Sequence, residues 1–153
     1  MRVVVNIEAS CFSTPIGELC GIVRGNVVLY LHRPLLLSGV TRGEFAERLR
    51  REIEEYFSGR RKSFSFRPLI RGSALRKKVF EEVLRIPYGS TITYGELAAR
   101  VGSSPRAVGR VLSENRILLV IPCHRVVASK GVGGYAFGVE AKKYLLRLEA
   151  SNR

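Results

Sequence analysis

Two helix starts stand close together in the middle of this chain, and they leave the surrounding segment little freedom. Thr93-Tyr94-Gly95-Glu96 supplies the hydroxyl and the carboxylate of a reciprocal capping box. Ser104-Pro105 supplies an N-cap hydroxyl followed by proline at the first helical position, where its missing N–H costs nothing. Gly102 lies between them as a C-terminal stop. The spacing predicts one short helix to about Val101 and a second from Pro105 to about Glu114, a helix-turn-helix.

The second of these helices carries Arg106 and Arg110 beside the small residues Ala107 and Gly109. Small side chains let a helix approach a groove closely, and guanidinium groups can reach phosphates or enter a base stack. A plain corner in a helical core remains the alternative at this point. Asn115 ends the helix, and the apolar run Ile117-Leu118-Leu119-Val120-Ile121 then leads into Pro122-Cys123-His124-Arg125-Val126. Pro122 stops whatever regular structure precedes it. A thiol, an imidazole and a guanidinium follow in consecutive positions, and each needs a partner if buried. A neighbouring imidazole or an electropositive site raises the population of reactive thiolate. The alternative reading makes Cys123 a small core hydrophobe and His124 a satisfied core histidine.

The chain ahead of this region has a different pattern. Arg2 to Glu8, Leu19 to Val23 and Val27 to Leu31 read as short strands. They are joined by turns at Thr14-Pro15-Ile16-Gly17 and Gly25-Asn26. If Pro15-Ile16 form a two-residue loop, Thr14 pairs with Gly17 and Cys11 falls opposite Cys20. A cross-strand disulfide is then geometrically conceivable, although such bonds are rare inside cells except in hyperthermophiles. Thr41-Arg42-Gly43-Glu44 reads as a capping box for a helix with Phe45, Leu49, Ile53, Tyr56 and Phe57 on one side. Glu52 falls on its charged, solvated side, with Arg48, Arg50, Arg51, Glu54 and Glu55. Phe64-Ser65-Phe66 offers a short strand before Pro68.

Beyond Gly72 the periodicity is helical. Ser73 caps a helix bearing Val79, Phe80, Val83 and Leu84, and Pro87-Tyr88-Gly89 ends it. After the glycine-rich loop Gly131 to Tyr135, a last helix from Val139 to about Glu149 is expected to pack Tyr144, Leu145 and Leu148, with Glu149 at its polar end. The expected fold is α/β: a small N-terminal antiparallel β-meander plus helix over residues 1–71, then a mostly α domain over 72–153 containing the helix-turn-helix.

The charge matters for partners. There are 26 Lys and Arg against 13 acidic residues, all of them Glu, for a net +13. The excess is shared by both sides of Gly72, so it belongs to the folded body and favours a polyanion. Absent Asp and Gln fit a thermophilic source, though coding bias gives the same composition. No apolar run is long enough to span a bilayer and the first residues lack a signal-peptide layout, so an intracellular, cytoplasmic protein is expected. Neither a CxxC nor a Cys2His2 spacing occurs, so no structural metal is expected.

Taken together, residues from about Gly72 to Glu149 resemble the C-terminal domain of the O6-alkylguanine-DNA alkyltransferases, the direct-reversal DNA repair proteins. The resemblance is carried by Pro-Cys-His-Arg-Val at 122–126, Ile86-Pro87-Tyr88-Gly89, Thr93-Tyr94, Arg106-Ala107-Val108-Gly109, Asn115, and Gly134-Tyr135 with Lys142 and Leu145 through Glu149. It implies that Cys123 takes the alkyl group from guanine O6, and by extension thymine O4, in duplex DNA. His124 would act on the thiol through one water, Glu149 would orient His124, and Asn115 would hold the hinge against the active-site loop. Arg106 would fill the stack vacated by a flipped base, with Ala107, Gly109 and Arg110 against the DNA. Tyr94 would donate to the guanine, the Val126 carbonyl would read its exocyclic amine, and Tyr135 with the backbone at Ala136 would line the pocket. No cofactor is implied, and the protein would be monomeric off DNA. The chain departs from the family where Ala136 replaces a hydroxyl or larger side chain, in a short loop from Ser129 to Tyr135, and in lacking the zinc ligands of some relatives. Two other functions fit parts of the pattern: a DNA-binding regulator needs the helix-turn-helix but not Cys123, His124 and Glu149, and a thiol hydrolase needs Cys and His but not Arg106.

Overall fold

The computed structural model describes residues 6–153, which divide into two compact units meeting in sequence between Leu69 and Ile70. Of the first expected strand, residues 2–5 lie outside the described part.

In the first unit β1 (Ile7–Thr14), β2 (Gly17–Arg24) and β3 (Val27–His32) form an antiparallel meander. The first strand thus runs on to Thr14 rather than stopping at Glu8. Pro15 and Ile16 make the turn, Thr14 pairs with Gly17, and Cys11 pairs with Cys20. The two cysteines form a disulfide. After the helix α1 (Glu44–Phe57) the chain returns as β4 (Arg67–Pro68), parallel to β3, giving the order β1-β2-β3-β4. The added strand is therefore Arg67–Pro68 and not Phe64–Phe66.

Helix α1 packs on β1 and β2, and its Leu49, Ile53 and Tyr56 are buried, as are Leu19, Val23, Val28 and Leu31 of the sheet. Each such side chain contributes roughly 1.5–3 kcal/mol by leaving water. The approach is close: a Cβ on Gly21 would sit 2.6 Å from Leu49 Cδ2. Two expectations about this helix are corrected. No capping box forms at Thr41–Glu44; Gly43 is the N-cap, without a side-chain bond. Instead the carboxylate of Glu8, on β1, accepts from the N–H groups of Phe45 and Ala46 at 3.0 and 3.1 Å. A strand carboxylate satisfies two orphan donors and meets the positive end of the helix. Glu52 is buried rather than solvated; it accepts from Ser65 N at 2.8 Å and from the Ser65 hydroxyl, with Arg48 and Arg61 each 3.7 Å away.

The second unit is mostly helical. Helix α2 (Ala74–Leu84) starts at Ser73, whose hydroxyl accepts from Arg76 N, and buries Val79, Phe80 and Val83, while Leu84 is exposed. The short strand β5 (Ile92–Thr93) opens α3 (Tyr94–Val101) through the full capping box of Thr93 and Glu96. Gly102 ends α3 in the left-handed region, and Ser104 caps α4 (Pro105–Ser113) by accepting from Ala107 N. Helices α2, α3 and α4 pack on one another. A single 3-10 turn, Cys123–Arg125, runs into β6 (Val126–Val127), which pairs in parallel with β5. Helix α5 (Val139–Ser151) closes the unit with Lys142, Leu145 and Glu149 buried. Tyr144, expected inside, faces outward, and Glu149 lies on the buried stripe instead of at a polar end.

Candidate active site

The residues between α4 and the cysteine do not form a strand. Ile117 through Ile121 are all buried and tightly turned, with Val120 N donating to Leu118 O at 2.8 Å and Ile121 N to Ile117 O at 3.1 Å. Leu119 adopts a positive φ of 70°, strained for a branched side chain and held by burial on every side. Asn115 fastens this knot. Its Oδ1 accepts from Ile117 N at 2.9 Å, and its Nδ2 donates to Ile121 O at 3.1 Å and to Cys123 Sγ at 3.2 Å.

Cys123 faces a cavity of about 280 Å³ lined also by Tyr94, Gly109, Asn115, Leu118, Tyr135 and Ala136. Burial pushes the thiol pKa up, opposed by the Asn115 hydrogen bond and the Lys142 charge. The resting sulfur is therefore a thiol that needs a base. The phenols of Tyr94 and Tyr135 are both raised by burial, with the sulfur's charge adding to it, and so stay protonated donors.

An imidazole stands next in the chain. His124 is fully buried, with Nε2 2.6 Å from Glu149 Oε2, while Nδ1 is buried without a protein partner. Burial lowers the imidazole pKa against the pull of Glu149, leaving it neutral. Burial alone would raise the Glu149 carboxyl, but the bonds from His124 and Arg125 outweigh it and hold it well below the carboxylate range. Arg125 donates from Nε to Glu149 Oε1 at 2.8 Å and from Nη2 to Oε2 at 3.1 Å, and Gly89 N donates to Oε1 at 3.0 Å. On the same stripe of α5, Lys142 donates from Nζ to the Val126 carbonyl at 2.6 Å and to the Gly134 carbonyl at 3.1 Å. Burial pushes that ammonium down to about 8.

The remaining expected residues separate into two groups. Gly109 borders the cavity, and Arg106 and Arg110 are exposed on the outer side of α4, with Ala107 half-buried between them. Val126 is buried, and its carbonyl accepts from Lys142. Among the described residues no cluster of three or more His, Cys, Asp or Glu is placed to hold a metal, and no helix is long and apolar enough to cross a membrane.

Residues 74–151 match the family model of the 6-O-methylguanine DNA methyltransferase DNA-binding domain. The chain belongs to this family. A curated relative, the methylated-DNA–protein-cysteine methyltransferase of Metallosphaera sedula, is 48% identical over 102 residues, 66% of this chain and 65% of that relative's length. Among solved structures, the Mycobacterium tuberculosis protein OGT in complex with DNA is similar with a TM-score of 0.84 and 32% identity, covering 95% of this chain and 94% of that one. An O6-methylguanine DNA methyltransferase from Methanococcus jannaschii is similar with a TM-score of 0.69 and 29% identity, covering 94% and 95%. The mixed α/β fold is that of these family members.

Sequence reasoning left Arg125 and Lys142 without roles, although both are buried and hydrogen-bonded within this cluster. The signal for Lys142 was its place on the helical stripe of Leu145 and Glu149, where a cation should have been apolar. Arg125 carried the same signal, a guanidinium at the end of an apolar run.

Proposed function

We propose that this protein repairs alkylated DNA by direct reversal, moving the alkyl group from O6-alkylguanine, and from O4-alkylthymine, in duplex DNA onto Cys123. The observation that carries the reading is the sulfur itself: Cys123 is buried at a cavity bordered by two phenols, with Asn115 on its sulfur and the His124–Glu149 pair behind it. A DNA-binding regulator has no use for that arrangement. A thiol hydrolase would bring the imidazole directly onto the sulfur, whereas here Asn115 holds it.

In the proposed step the Cys123 proton passes through one water to His124 Nδ1, and Glu149 accepts from Nε2–H to stabilise the imidazolium. The sulfur attacks the alkyl carbon, an S–C bond forms and the C–O6 bond breaks. Guanine leaves with the electron pair of that bond and is neutralised by a proton, for which Tyr94 is the donor beside the cavity. Asn115 keeps the sulfur aimed. Tyr135 and the backbone of Ala136 bound the base. The Val126 carbonyl reads the exocyclic amine with the lone pair that Lys142 leaves open. The target base must be extruded from the duplex to reach the sulfur, so Arg106 fills its place while Ala107, Gly109 and Arg110 sit against the DNA. The domain over residues 72–153 performs the chemistry without a cofactor, the protein is a monomer off DNA, and it works in the cytoplasm where DNA is exposed. No second nucleophile takes the alkyl group onward, because Cys11 and Cys20 are joined to each other. Each molecule therefore acts once.

Incubation with a duplex carrying O6-methylguanine, followed by intact-mass and peptide analysis, tests the reading. Gain of one methyl on Cys123 is the expected result, and an unmodified Cys123 beside restored or unrestored guanine defeats it.

A further inference from the structure

The turn Ile86–Gly89 has no part in the mechanism above, yet it meets the buried charges from behind. Its Ile86 carbonyl accepts from Arg125 Nη1 at 2.8 Å, Arg125 lies 5.6 Å from the centre of the Tyr88 ring, and Gly89 N reaches Glu149. We propose that Arg125, seated on this turn, is a positioning residue for the reaction proposed above: it keeps the Glu149 carboxylate ionised and turned to His124 Nε2, and thereby fixes the imidazole in the tautomer whose Nδ1 holds the lone pair that receives the thiol proton.

The argument is one of donors and acceptors. A guanidinium keeps its protons in proteins and can only donate. Arg125 places a donor on each Glu149 oxygen, and Gly89 N adds another to Oε1. Both oxygens must therefore accept, and the carboxyl has no room for a proton of its own. The hydrogen between Glu149 Oε2 and His124 Nε2 then belongs to the nitrogen, which leaves Nδ1 unprotonated in the neutral ring. Nδ1 is the imidazole atom that no protein group occupies. Lysine could not do this, because a single ammonium cannot span both carboxylate oxygens and the Ile86 carbonyl in the planar fork that arginine provides.

The same charge limits how basic the imidazole becomes. His124 is faced by Glu149 and Lys142 from α5, by Arg125 and Cys123 from its own turn, and by the edge of the Tyr135 ring from the following loop. Burial lowers the imidazole pKa, and Arg125 and Lys142 add to it against the pull of Glu149, so the neutral ring is favoured. Without Arg125 the buried carboxylate is uncompensated, and the His124–Glu149 couple takes up a proton near neutral pH. That proton occupies the base.

The chain has only two histidines, so ring-nitrogen NMR of histidine-labelled protein can follow His124 in the wild type, Arg125→Gln and Arg125→Lys. We would record it from about pH 5 to about pH 9 beside single-turnover alkyl transfer at each pH. The wild type should show the neutral Nε2–H tautomer throughout. Arg125→Gln should titrate ~1 unit or more higher, with the acid limb of the transfer rate moving by the same amount and recovery at high pH. Arg125→Lys, which keeps the charge, should move less. A wild-type ring protonated on Nδ1 at pH 7, or an Arg125→Gln protein that titrates as wild type and is slowed equally at every pH, overturns the proposal. If Arg125→Gln does not fold, the wild-type tautomer and the Arg125→Lys titration decide. A wild type that gains no alkyl group defeats the repair reading alone; the NMR result still judges Arg125 independently.

Discussion

Glu149 and His124 show how much one buried pair governs. Both have pKa values lowered by folding, and the signs give the pH windows. The unfolded imidazole, at its ordinary 6.5, binds a proton that the folded one refuses, so stability falls as pH drops below that value. The carboxylate contributes stability above its ordinary 4.5 and loses it as pH falls further. Denaturant unfolding across this range should show stability declining in two stages, the first beginning near neutrality. His124→Gln should lose the first stage and Glu149→Gln the second. A wild-type profile flat from pH 7 to below 5 contradicts the assignment. Lys142 has the same sign in a higher window: burial lowers its pKa, so its cost is full at pH 7 and is relieved as pH climbs from about 8 toward the ordinary 10.5. The thiol and the imidazole could be picked out of the sequence because they are consecutive in one short motif, whereas Asn115 read only as a helix end and took its role from the family resemblance. Arg125 could not be assigned, because its partners arrive from residues 86, 88 and 149, and a capping or pairing rule reads only neighbours.

The elements repeat that contrast between near and distant partners. The capping box of α3 was legible because both its members lie within one turn of the helix they cap. The similar-looking Thr41–Glu44 was misleading, because the helix starts two residues later, at Gly43, and Glu8 from β1 accepts from Phe45 and Ala46, the N–H groups an N-cap side chain there would serve. Unfolding measurements separate the two: Glu8→Ala should cost about 1–2 kcal/mol, and Thr41→Ala close to nothing. The reverse order would restore the local box. Similarly, Tyr144 was expected inside from spacing alone, whereas α5 is rotated to bury Lys142 and Glu149, whose partners offset the desolvation. The β1–β2 register followed from the length of one turn and so placed Cys11 against Cys20 correctly. Titration of the denatured, unreduced protein should count one free thiol, Cys123, and three would remove the bridge. For α4, Arg106→Ala should slow repair of duplex DNA at least tenfold while leaving reaction with a free O6-alkylguanine base little changed, a difference of ~1.4 kcal/mol or more. Equal losses on both substrates would mean that Arg106 does not stand in for the flipped base.

At the scale of the whole molecule, a net charge of +13 favours a polyanion, while the proposed chemistry is confined to one sulfur. Charge, mixed α/β character and the change of periodicity near Gly72 could all be read directly. The cavity could not, because it is made by α3, α4, the turned run 117–121 and the loop 134–136 meeting in space. A thioether formed in that packed site is not readily undone by water, and even one added methylene is felt in a close-packed interior. The central claim is therefore stoichiometric. A fixed amount of protein should be titrated with duplex DNA containing O6-methylguanine, and the restored guanine counted. The account predicts a plateau at about one equivalent per chain, abolished by Cys123→Ala with DNA binding retained; guanine restored well beyond one equivalent would contradict it.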